Sequence, residues 1–173
     1  MRIEAVFDRA AALGRESRAA AQRINHRWAV LQADLVLGWV AYDQGDFEDA
    51  AESFAACRAA ATSLGHLRDT ARALAGLGEV ALARGQVDSA DELLDEAAAD
   101  WHRLGDAIRL AQVLVVRARL ASTRGAPIQA IDQLTEALRL YRSMNHVLGT
   151  AECLEGLAVW LPWNPTRPRG WCA

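Results

Sequence analysis

The segment LGWVAYDQGDFEDAAESF, residues 37–54, returns in two related versions, LGEVALARGQVDSADELL at 77–94 and RARLASTRGAPIQAIDQL at 117–134. Each version begins 40 residues after the previous one. The three segments keep the same kind of residue at several matched positions: Ala41, Ala81, Ala121; Gly45, Gly85, Gly125; Ala50, Ala90, Ala130; and Phe54, Leu94, Leu134. A fixed period of this length indicates a chain built from repeated supersecondary units, and this decides the fold.

Apolar residues within each repeat are spaced by three or four positions, as in an amphipathic helix. In the second half of one repeat they are Val87, Ala90, Leu94, Ala97, Trp101 and Leu104. The first half predicts another helix, whose small side chains allow close packing, with the apolar positions Ala71, Leu74, Gly78 and Ala81. Because the period-two alternation of strands is absent, the sequence predicts an all-α protein.

Glycine and asparagine mark the ends of the predicted helices. They follow the first helix of each pair at Gly45, Gly85 and Gly125, and the second at Asn25, Gly65, Gly105 and Asn145. These two residue types enter the left-handed backbone conformation most readily, so we expect a C-cap at each position. Asp46 and Asp106 are expected to cap the helices that follow them, and Pro127 suits a first helical turn.

These signals predict a single repeat domain over residues 1–161. It comprises a half repeat at 4–25, full repeats at 26–65, 66–105 and 106–145, and a final helix at 146–161. Three of the four prolines lie within 162–173, which predicts an irregular tail rich in proline, tryptophan and arginine.

Composition narrows the classes of function. The 173 residues carry a formal net charge of −3, and this slightly acidic balance argues against direct nucleic-acid binding. No uncharged apolar run reaches the roughly 18 residues of a membrane-spanning helix. The cysteines, Cys57, Cys153 and Cys172, are too few and too scattered for a disulfide framework, so we expect a cytoplasmic location.

Motifs of catalysis and cofactor binding are missing from the sequence. All 19 basic residues are arginines, so the lysine of a phosphate-binding loop is absent, and neither a nucleophile elbow nor an HExxH pattern occurs. His26, His66 and His146 share one register position, but equivalent residues of successive repeats lie too far apart to hold one metal ion. We therefore expect no enzyme, no cofactor and no metal site, and interpret the histidines as cap or loop residues.

Leu37-Gly38, the Gly45-Asp46 turn, and Ala50 with Phe54 four residues later resemble the tetratricopeptide repeat (TPR). The resemblance covers residues 5–161. It implies a right-handed solenoid of antiparallel helix pairs, about eight helices in all, that binds a protein or peptide. The period of 40 departs from the family's 34. It resembles a variant found in large bacterial regulators, which implies the regulatory or docking segment of a signalling or transcription-control system.

The resemblance also implies a partner-binding groove lined by the first helix of each repeat. Carried over by register, its residues are Leu35, Trp39, Tyr42, Arg72, Glu79, Leu82, Gln112, Val115, Arg119 and Ser122. An alternative interpretation is that Trp39 and Tyr42 only pack against the neighbouring repeat. The chain also admits two other functions, a stand-alone homo-oligomerisation scaffold and a receptor for a small-molecule or peptide effector.

The helix that follows Gln86 is strongly acidic, with Asp88, Asp91, Glu92, Asp95, Glu96 and Asp100. Like charges four residues apart destabilise a helix slightly, so this concentration calls for an explanation. One interpretation is a solvated outer face. The other is a dock for an arginine-rich surface, such as the helix that precedes Trp28.

The final predicted helix carries an apolar patch at Leu154, Leu157, Trp160 and Leu161. Prolines at 162, 165 and 168 prevent a further helix that could cover it. Exposed apolar patches of this kind usually mark an interface. We predict that the patch is covered either by a second copy of the chain, in a homodimer through this helix, or by the tail.

Overall fold

The computed structural model describes residues 3–160, which form eight α-helices and no strand. In chain order they are α1 (Ile3–Arg23), α2 (Arg27–Gln44), α3 (Phe47–Leu64), α4 (Leu67–Ala83), α5 (Val87–Leu104), α6 (Ala107–Thr123), α7 (Pro127–Ser143) and α8 (Val147–Ala158). The predicted all-α class is confirmed. Leu161 and the predicted tail lie outside the described residues.

The helices alternate between the two types that the repeat predicts. The first helices of the repeats are α2, α4, α6 and α8, and the second helices are α1, α3, α5 and α7. The final helix ends at Ala158, short of its predicted end at residue 161. The chain divides into two compact units, residues 1–100 (unit 1) and 101–173 (unit 2). The single domain over residues 1–161 remains a prediction.

Left-handed residues stand between the helices where the sequence predicts them. The five inter-helix glycines have φ between 67° and 83°, and both asparagines have φ of 52°. At the end of α2 the Gly45 N–H donates to the Tyr42 carbonyl at 3.0 Å, and the Asp46 N–H donates to the Ala41 carbonyl at 2.9 Å. These bonds satisfy carbonyls that a helix end leaves unpaired. The predicted left-handed stops are therefore confirmed, with Gly45 and Gly65 as the cap residues themselves. The C-caps of α4, α6 and α7 are instead Arg84, Arg124 and Met144, each directly before the left-handed residue.

The two predicted aspartate caps have different outcomes. The Asp106 carboxylate accepts a hydrogen bond from the Arg109 N–H at 3.1 Å and caps α6, as predicted. The prediction for Asp46 is wrong, because its side chain makes no capping bond to α3. Asp46 instead lines a polar cavity formed by α1, α2 and α3. Pro127 occupies the first turn of α7, as predicted.

Phe54 is the central side chain of the unit 1 core. It is fully buried, and its ring fills the space left by the missing side chains of Gly38 in α2 and Gly76 in α4. A Cβ atom at Gly38 would fall 2.6 Å from the ring, and one at Gly76 would fall 2.7 Å from it. Three helices can meet on one ring because both glycines leave room. This contact sets α2 beside α4.

Unit 2 uses the same device with other residues. The Tyr141 ring of α7 lies against Gly149 of α8, and Leu134 lies against Gly156. Leu157 and Trp160 pack, partly buried, against the core that contains Tyr141 and Leu134. Unit 2 itself therefore covers part of the apolar patch predicted on the final helix. The expectation that only a second copy or the tail covers Leu157 and Trp160 is corrected by this packing within unit 2.

Candidate peptide-binding surface

The outward side of α2 carries a mostly apolar stripe of four residues, Trp28, Gln32, Val36 and Trp39. Their spacing of four, four and three residues places them on one face of the helix. Trp28 and Val36 are each 49% exposed, whereas Gln32 and Trp39 are half-buried. The core side of the same helix holds the buried residues Leu31, Leu35 and Gly38. We call the four outward residues the α2 stripe.

A polar network joins the α2 stripe to α4. The Gln32 amide donates from Nε2 to Asp69 Oδ1 at 2.9 Å, and its Oε1 accepts from Arg72 Nη1 at 3.0 Å. Arg72 Nη1 also donates to Asp69 Oδ1 at 3.3 Å. Asp69 is only 7% exposed, and a buried carboxylate needs such partners to offset its lost hydration. The network therefore fixes the two helices side by side.

Arg72 is the residue of this network best placed to meet a ligand. Its side chain is 31% exposed, and both described bonds use Nη1. A guanidinium has five N–H donors in a planar fork that suits a carboxylate. On the same face of α4 stand Arg68, which is exposed, and Glu79, which is half-buried. These three residues and the α2 stripe form what we call the α2–α4 surface.

Nucleophilic chemistry is not favoured beneath this surface. Cys57 is fully buried, and burial, together with the nearby Asp69 and Asp34 carboxylates, raises the pKa of its thiol to about 12. Only the thiolate is a strong nucleophile. The α2–α4 surface therefore offers apolar area and hydrogen-bonding groups for binding.

Trp39 and Tyr42 belong to an aromatic cluster between α2 and α3. The Trp39 ring lies edge-on to Phe54, with centroids 5.0 Å apart, and edge-on to Tyr42 at 5.8 Å. Tyr42 in turn lies 5.7 Å from the Phe47 ring. Both residues thus pack against the second helix of their own repeat, not only against the neighbouring repeat. Because each keeps an exposed part, the cluster presents rigid aromatic edges at the surface.

The structure separates the ten predicted groove residues into core and surface. Leu35 is 0% exposed and shares a cluster with Cys57 and Ala61, and Val115 is buried in the core of unit 2. The expectation that these two face a groove is wrong, because their position points to the second helix of the repeat. Partly exposed residues in unit 1 are Trp39, Tyr42, Arg72, Glu79 and Leu82, and exposed residues in unit 2 are Gln112, Arg119 and Ser122.

Trp28, Gln32, Val36 and Arg68 are the residues of the α2–α4 surface that the sequence reasoning missed. Val36 is one helical position away from Leu35, which was assigned to the groove by resemblance, and one position rotates a side chain by about 100° around the helix. A signal was present for the α2 residues, because Trp28 and Val36 each lie four positions from Gln32. That spacing already separates an outward stripe from the core stripe.

Unit 2 presents a different surface on α6. Gln112 accepts a bond from Arg109 Nη1 at 3.0 Å within the same helix, and the Ser122 hydroxyl donates to the Ala118 carbonyl at 2.8 Å. These side chains are thus engaged locally, on an exposed helix face without tryptophan. Their role in partner binding remains a prediction.

The acidic residues of α5 are mostly on its outer side. Asp88, Glu92, Asp95 and Glu96 are exposed and Asp91 is partly buried, whereas Asp100 is only 4% exposed. Glu96 accepts hydrogen bonds from Arg58 Nη2 of α3 at 3.0 and 3.3 Å. An arginine of α3 therefore meets this helix at Glu96. In α1, Arg18 instead pairs with the buried Asp34 of α2 at 2.6 Å.

Two of the three register-equivalent histidines are helix caps. His26 Nδ1 accepts from the Ala29 N–H at 3.2 Å, and His146 Nδ1 accepts from the Gly149 N–H at 3.0 Å. The cap interpretation is confirmed for these two. His66 makes no capping bond, and its Nδ1 lies 3.6 Å from Asp69 Oδ2. Over residues 3–160 no group of three His, Cys, Asp or Glu side chains is placed to hold a metal ion.

None of the helices within residues 3–160 has the length and apolar character needed to cross a membrane. The fold is that of a helical-repeat protein, and the α2–α4 surface is a candidate site for a partner. Residues 69–143 match the family model of the tetratricopeptide repeat, in agreement with the sequence resemblance. TPRs generally mediate protein–protein interactions, and their fold is a non-catalytic scaffold. The 40-residue variant remains a prediction.

The chain is also similar in fold to a solved structure, the crystal structure of BtubC (BKLC) from P. vanneervenii. The TM-score is 0.70 at 17% sequence identity, and the match covers 98% of this chain and 80% of that chain. At this identity the similarity supports the fold alone. Comparison with curated proteins gives no match.

Proposed function

We propose that this chain is a non-catalytic scaffold that binds a protein or peptide on the α2–α4 surface of unit 1. The observation that carries the proposal is the contact between the apolar α2 stripe and the polar network of Gln32, Asp69 and Arg72. Aromatic and arginine side chains in such settings commonly dominate binding energy. A rigid, pre-formed surface also loses little conformational entropy on binding.

The chemistry of the surface describes its partner. Exposed parts of Trp28, Val36 and Trp39 favour apolar side chains spaced along one edge of the peptide. Arg72 favours a carboxylate close to that edge, since its guanidinium is partly exposed and already oriented by two hydrogen bonds. We therefore expect an apolar segment that carries an acidic side chain or a C-terminal carboxylate.

Selection from a random peptide library displayed on phage, with the full chain as bait, provides a defined probe. A selected peptide should bind the parent chain and bind Trp39→Ala or Arg72→Ala more weakly by about thirtyfold, since truncated hot-spot residues cost about 2 kcal/mol or more. Fluorescence anisotropy of the labelled peptide measures the change in Kd.

Matched controls remove an aliphatic and an arginine side chain elsewhere. Ile128→Ala on α7 and Arg103→Ala on α5 truncate exposed residues outside the α2–α4 surface and should leave Kd unchanged. Circular dichroism checks that helicity is retained. Equal affinity of the peptide for the parent and for both surface variants would place the binding site elsewhere and contradict the proposal.

The wider role proposed for the chain is the regulatory or docking segment of a cytoplasmic bacterial signalling or transcription-control system. Its support is the resemblance of the 40-residue period to repeats of large bacterial regulators, together with the net charge of −3, which does not favour direct contact with nucleic acid. A sequenced gene neighbourhood in which no regulator or sensor accompanies this segment would argue against it.

A receptor for a small effector is the second candidate, and a cavity of about 410 Å³ in unit 1 favours it. The cavity lies between α1, α2 and α3. Its charged and polar lining includes Asp8, Arg15, Arg18, Gln44, Asp49 and Glu52. Such a lining suits a small polar molecule and not an apolar peptide. A ligand whose stabilising effect depends on Arg15 and not on Trp39 would favour this alternative.

A further inference from the structure

The outer face of α8 is exposed at positions that are buried in the earlier first helices. This face consists of Ala151, Leu154, Glu155 and Ala158, and we call it the α8 outer face. The register-equivalent residues of α2, α4 and α6 are buried, except Ala75, which is partly buried. They are Leu31, Ala71 and Ala111; Asp34, Leu74 and Leu114; Leu35, Ala75 and Val115; and Gly38, Gly78 and Ala118. On α8, by contrast, Ala151 and Glu155 are exposed, Leu154 is 52% exposed and Ala158 is partly exposed.

A second helix covers this face in the earlier repeats. Gly38 of α2 lies against Phe54 of α3, and Gly78 of α4 lies against Leu94 of α5. No helix that follows α8 is part of the described chain. At Ala151, Leu154 and Glu155 the α8 outer face is thus exposed where a second helix covers the earlier first helices.

The helix α1 is exposed at positions that are buried in the other second helices. α1 has the register of a second helix, yet Ala10 is only partly buried and Ser17 is exposed. The equivalent residues of later second helices are all fully buried: Ala50, Ala90, Ala130 and Cys57, Ala97, Ala137. Exposed Val6 and Leu13 lie on the same side of α1, four residues before and three residues after Ala10. We call Val6, Ala10, Leu13 and Ser17 the α1 outer face.

We propose that the α1 outer face of a second copy of this chain docks on the α8 outer face. The α8 outer face has the register that packs against a second helix and the α1 outer face the register that packs against a first helix, since within residues 3–160 each earlier first helix is followed by a second helix. Docking removes the exposed apolar side chains of both faces from water, which favours association. The inference does not depend on the α2–α4 surface.

A matched pair of polar residues supports this register. Glu155 stands where Leu35 and Val115 occupy the buried cores. Ser17 has the register position of Cys57 and Ala137. Cys57 packs with Leu35 in one core cluster, and Ala137 packs with Val115 in the other. Both outer faces therefore become polar at positions that would meet on docking. A serine hydroxyl can donate a hydrogen bond to a carboxylate, so Ser17 and Glu155 can pair in the docked arrangement.

The distribution of charge selects α1 over a second α8 as the occupant. Within Val147–Ala158 the charged residues are Glu152 and Glu155, with no basic residue, whereas α1 carries four arginines and three acidic residues. Pairing α8 with another α8 would bring Glu155 close to its own copy, and like charges at an interface oppose association. The α1–α8 contact joins two different faces, so each dimer keeps one free face of each kind.

Sedimentation velocity of the full chain over a concentration series tests the proposal. The parent should form dimers and larger species as concentration rises. Leu13→Glu on α1 or Ala151→Glu on α8 should each weaken self-association by about a hundredfold, because each places an unpaired carboxylate in the contact. An equimolar mixture of the two variants should recover a dimer with the parent's affinity, since one intact face of each kind remains. Both positions are exposed, so circular dichroism should show unchanged helicity.

Two further variants make the test specific. Ile128→Glu changes an apolar residue of α7 that is 75% exposed and outside both faces, and it should associate like the parent. Glu155→Arg should weaken association, and adding Ser17→Glu to the same chain should restore it through the new opposite charge.

Three outcomes would overturn the proposal. A parent chain that stays monomeric at every concentration has no such contact. Undiminished self-association of Leu13→Glu would identify α8 of another copy as the occupant. A chain that associates only after removal of residues 161–173 would identify that segment as the occupant.

Discussion

The helices α2 and α6 occupy the same register of the repeat and present different surfaces. Along its outward side α2 carries Trp28, Gln32, Val36 and Trp39, and the equivalent residues of α6 are Ile108, Gln112, Val116 and Arg119. Val36 is exposed whereas Val116 is buried, and Gln32 bonds across to another helix whereas Gln112 bonds within its own. The repeat thus sets the backbone and the core positions, while each helix selects its own surface chemistry.

The two units also differ in how their cores are filled, and this difference gives the largest expected effect. Phe54→Ala should lower the free energy of unfolding of unit 1 by about 3–5 kcal/mol, because three helices meet on that ring. Leu134→Ala in unit 2 removes a smaller side chain and should cost about 2–4 kcal/mol. Urea unfolding followed by circular dichroism measures both values. Equal losses would mean that the two cores are equally tight.

A charged pair in unit 1 has an apolar counterpart in unit 2. Arg18 and Asp34 occupy the register of Leu138 and Leu154. Arg18→Ala should lower the free energy of unfolding by about 2 kcal/mol at pH 7. This loss is smaller than for a fully buried ion pair, because the Arg18 side chain is 43% exposed. The double variant Arg18→Leu/Asp34→Leu should regain that loss, because matched apolar residues need no hydration. A double variant less stable than Arg18→Ala would contradict this expectation.

The same pair predicts a dependence on pH. Burial raises the pKa of Asp34 above 3.8, and Arg18 opposes the rise by its charge and hydrogen bond. A group with a raised folded-state pKa stabilises the fold below its unfolded pKa and loses that contribution as pH rises through the folded pKa. Without Arg18 that pKa should rise further. The deficit of Arg18→Ala should therefore shrink as pH falls from 7 toward 4, measured by urea unfolding at each pH.

The smallest effect compares the two glutamines. Gln32→Ala should destabilise unit 1 by about 1–2 kcal/mol, since it removes two partners from a nearly buried network and leaves Asp69 less well paired. Gln112→Ala should change stability by less than about 0.5 kcal/mol, because Gln112 is exposed. Thermal unfolding of both variants distinguishes them. Equal shifts in Tm would show that the α2–α4 network adds nothing to stability.

Helix positions could be predicted from the sequence because their ends depend on local chemistry. A left-handed residue between two helices is nearly confined to glycine and asparagine, and the chain places only these two at the predicted stops. The prediction for Asp46 failed only at the side chain, since Asp46 occupies the N-cap position of α3 but its carboxylate makes no capping bond.

The binding surface could be predicted only in part. Trp39 and Arg72 were identified, because the family register carries over to them. Leu35 was assigned to the surface and is buried, whereas its neighbour Val36 was not identified and is exposed, because a difference of one residue decides which side of the helix a side chain occupies. The network of Gln32, Asp69 and Arg72 depends on how closely α4 lies beside α2, and Phe54 with its two glycines sets that distance. No local pattern encodes such a contact.

The buried thiols allow the opening of each unit to be measured separately. Cys57 lies in unit 1 and Cys153 in unit 2, and burial raises the pKa of the first to about 12 and of the second to about 11. A closed unit therefore protects its thiol from alkylation, and modification must wait for that unit to open. In a chain with Cys172→Ser, the rates at which iodoacetamide marks the two sites would report two opening equilibria within a single molecule.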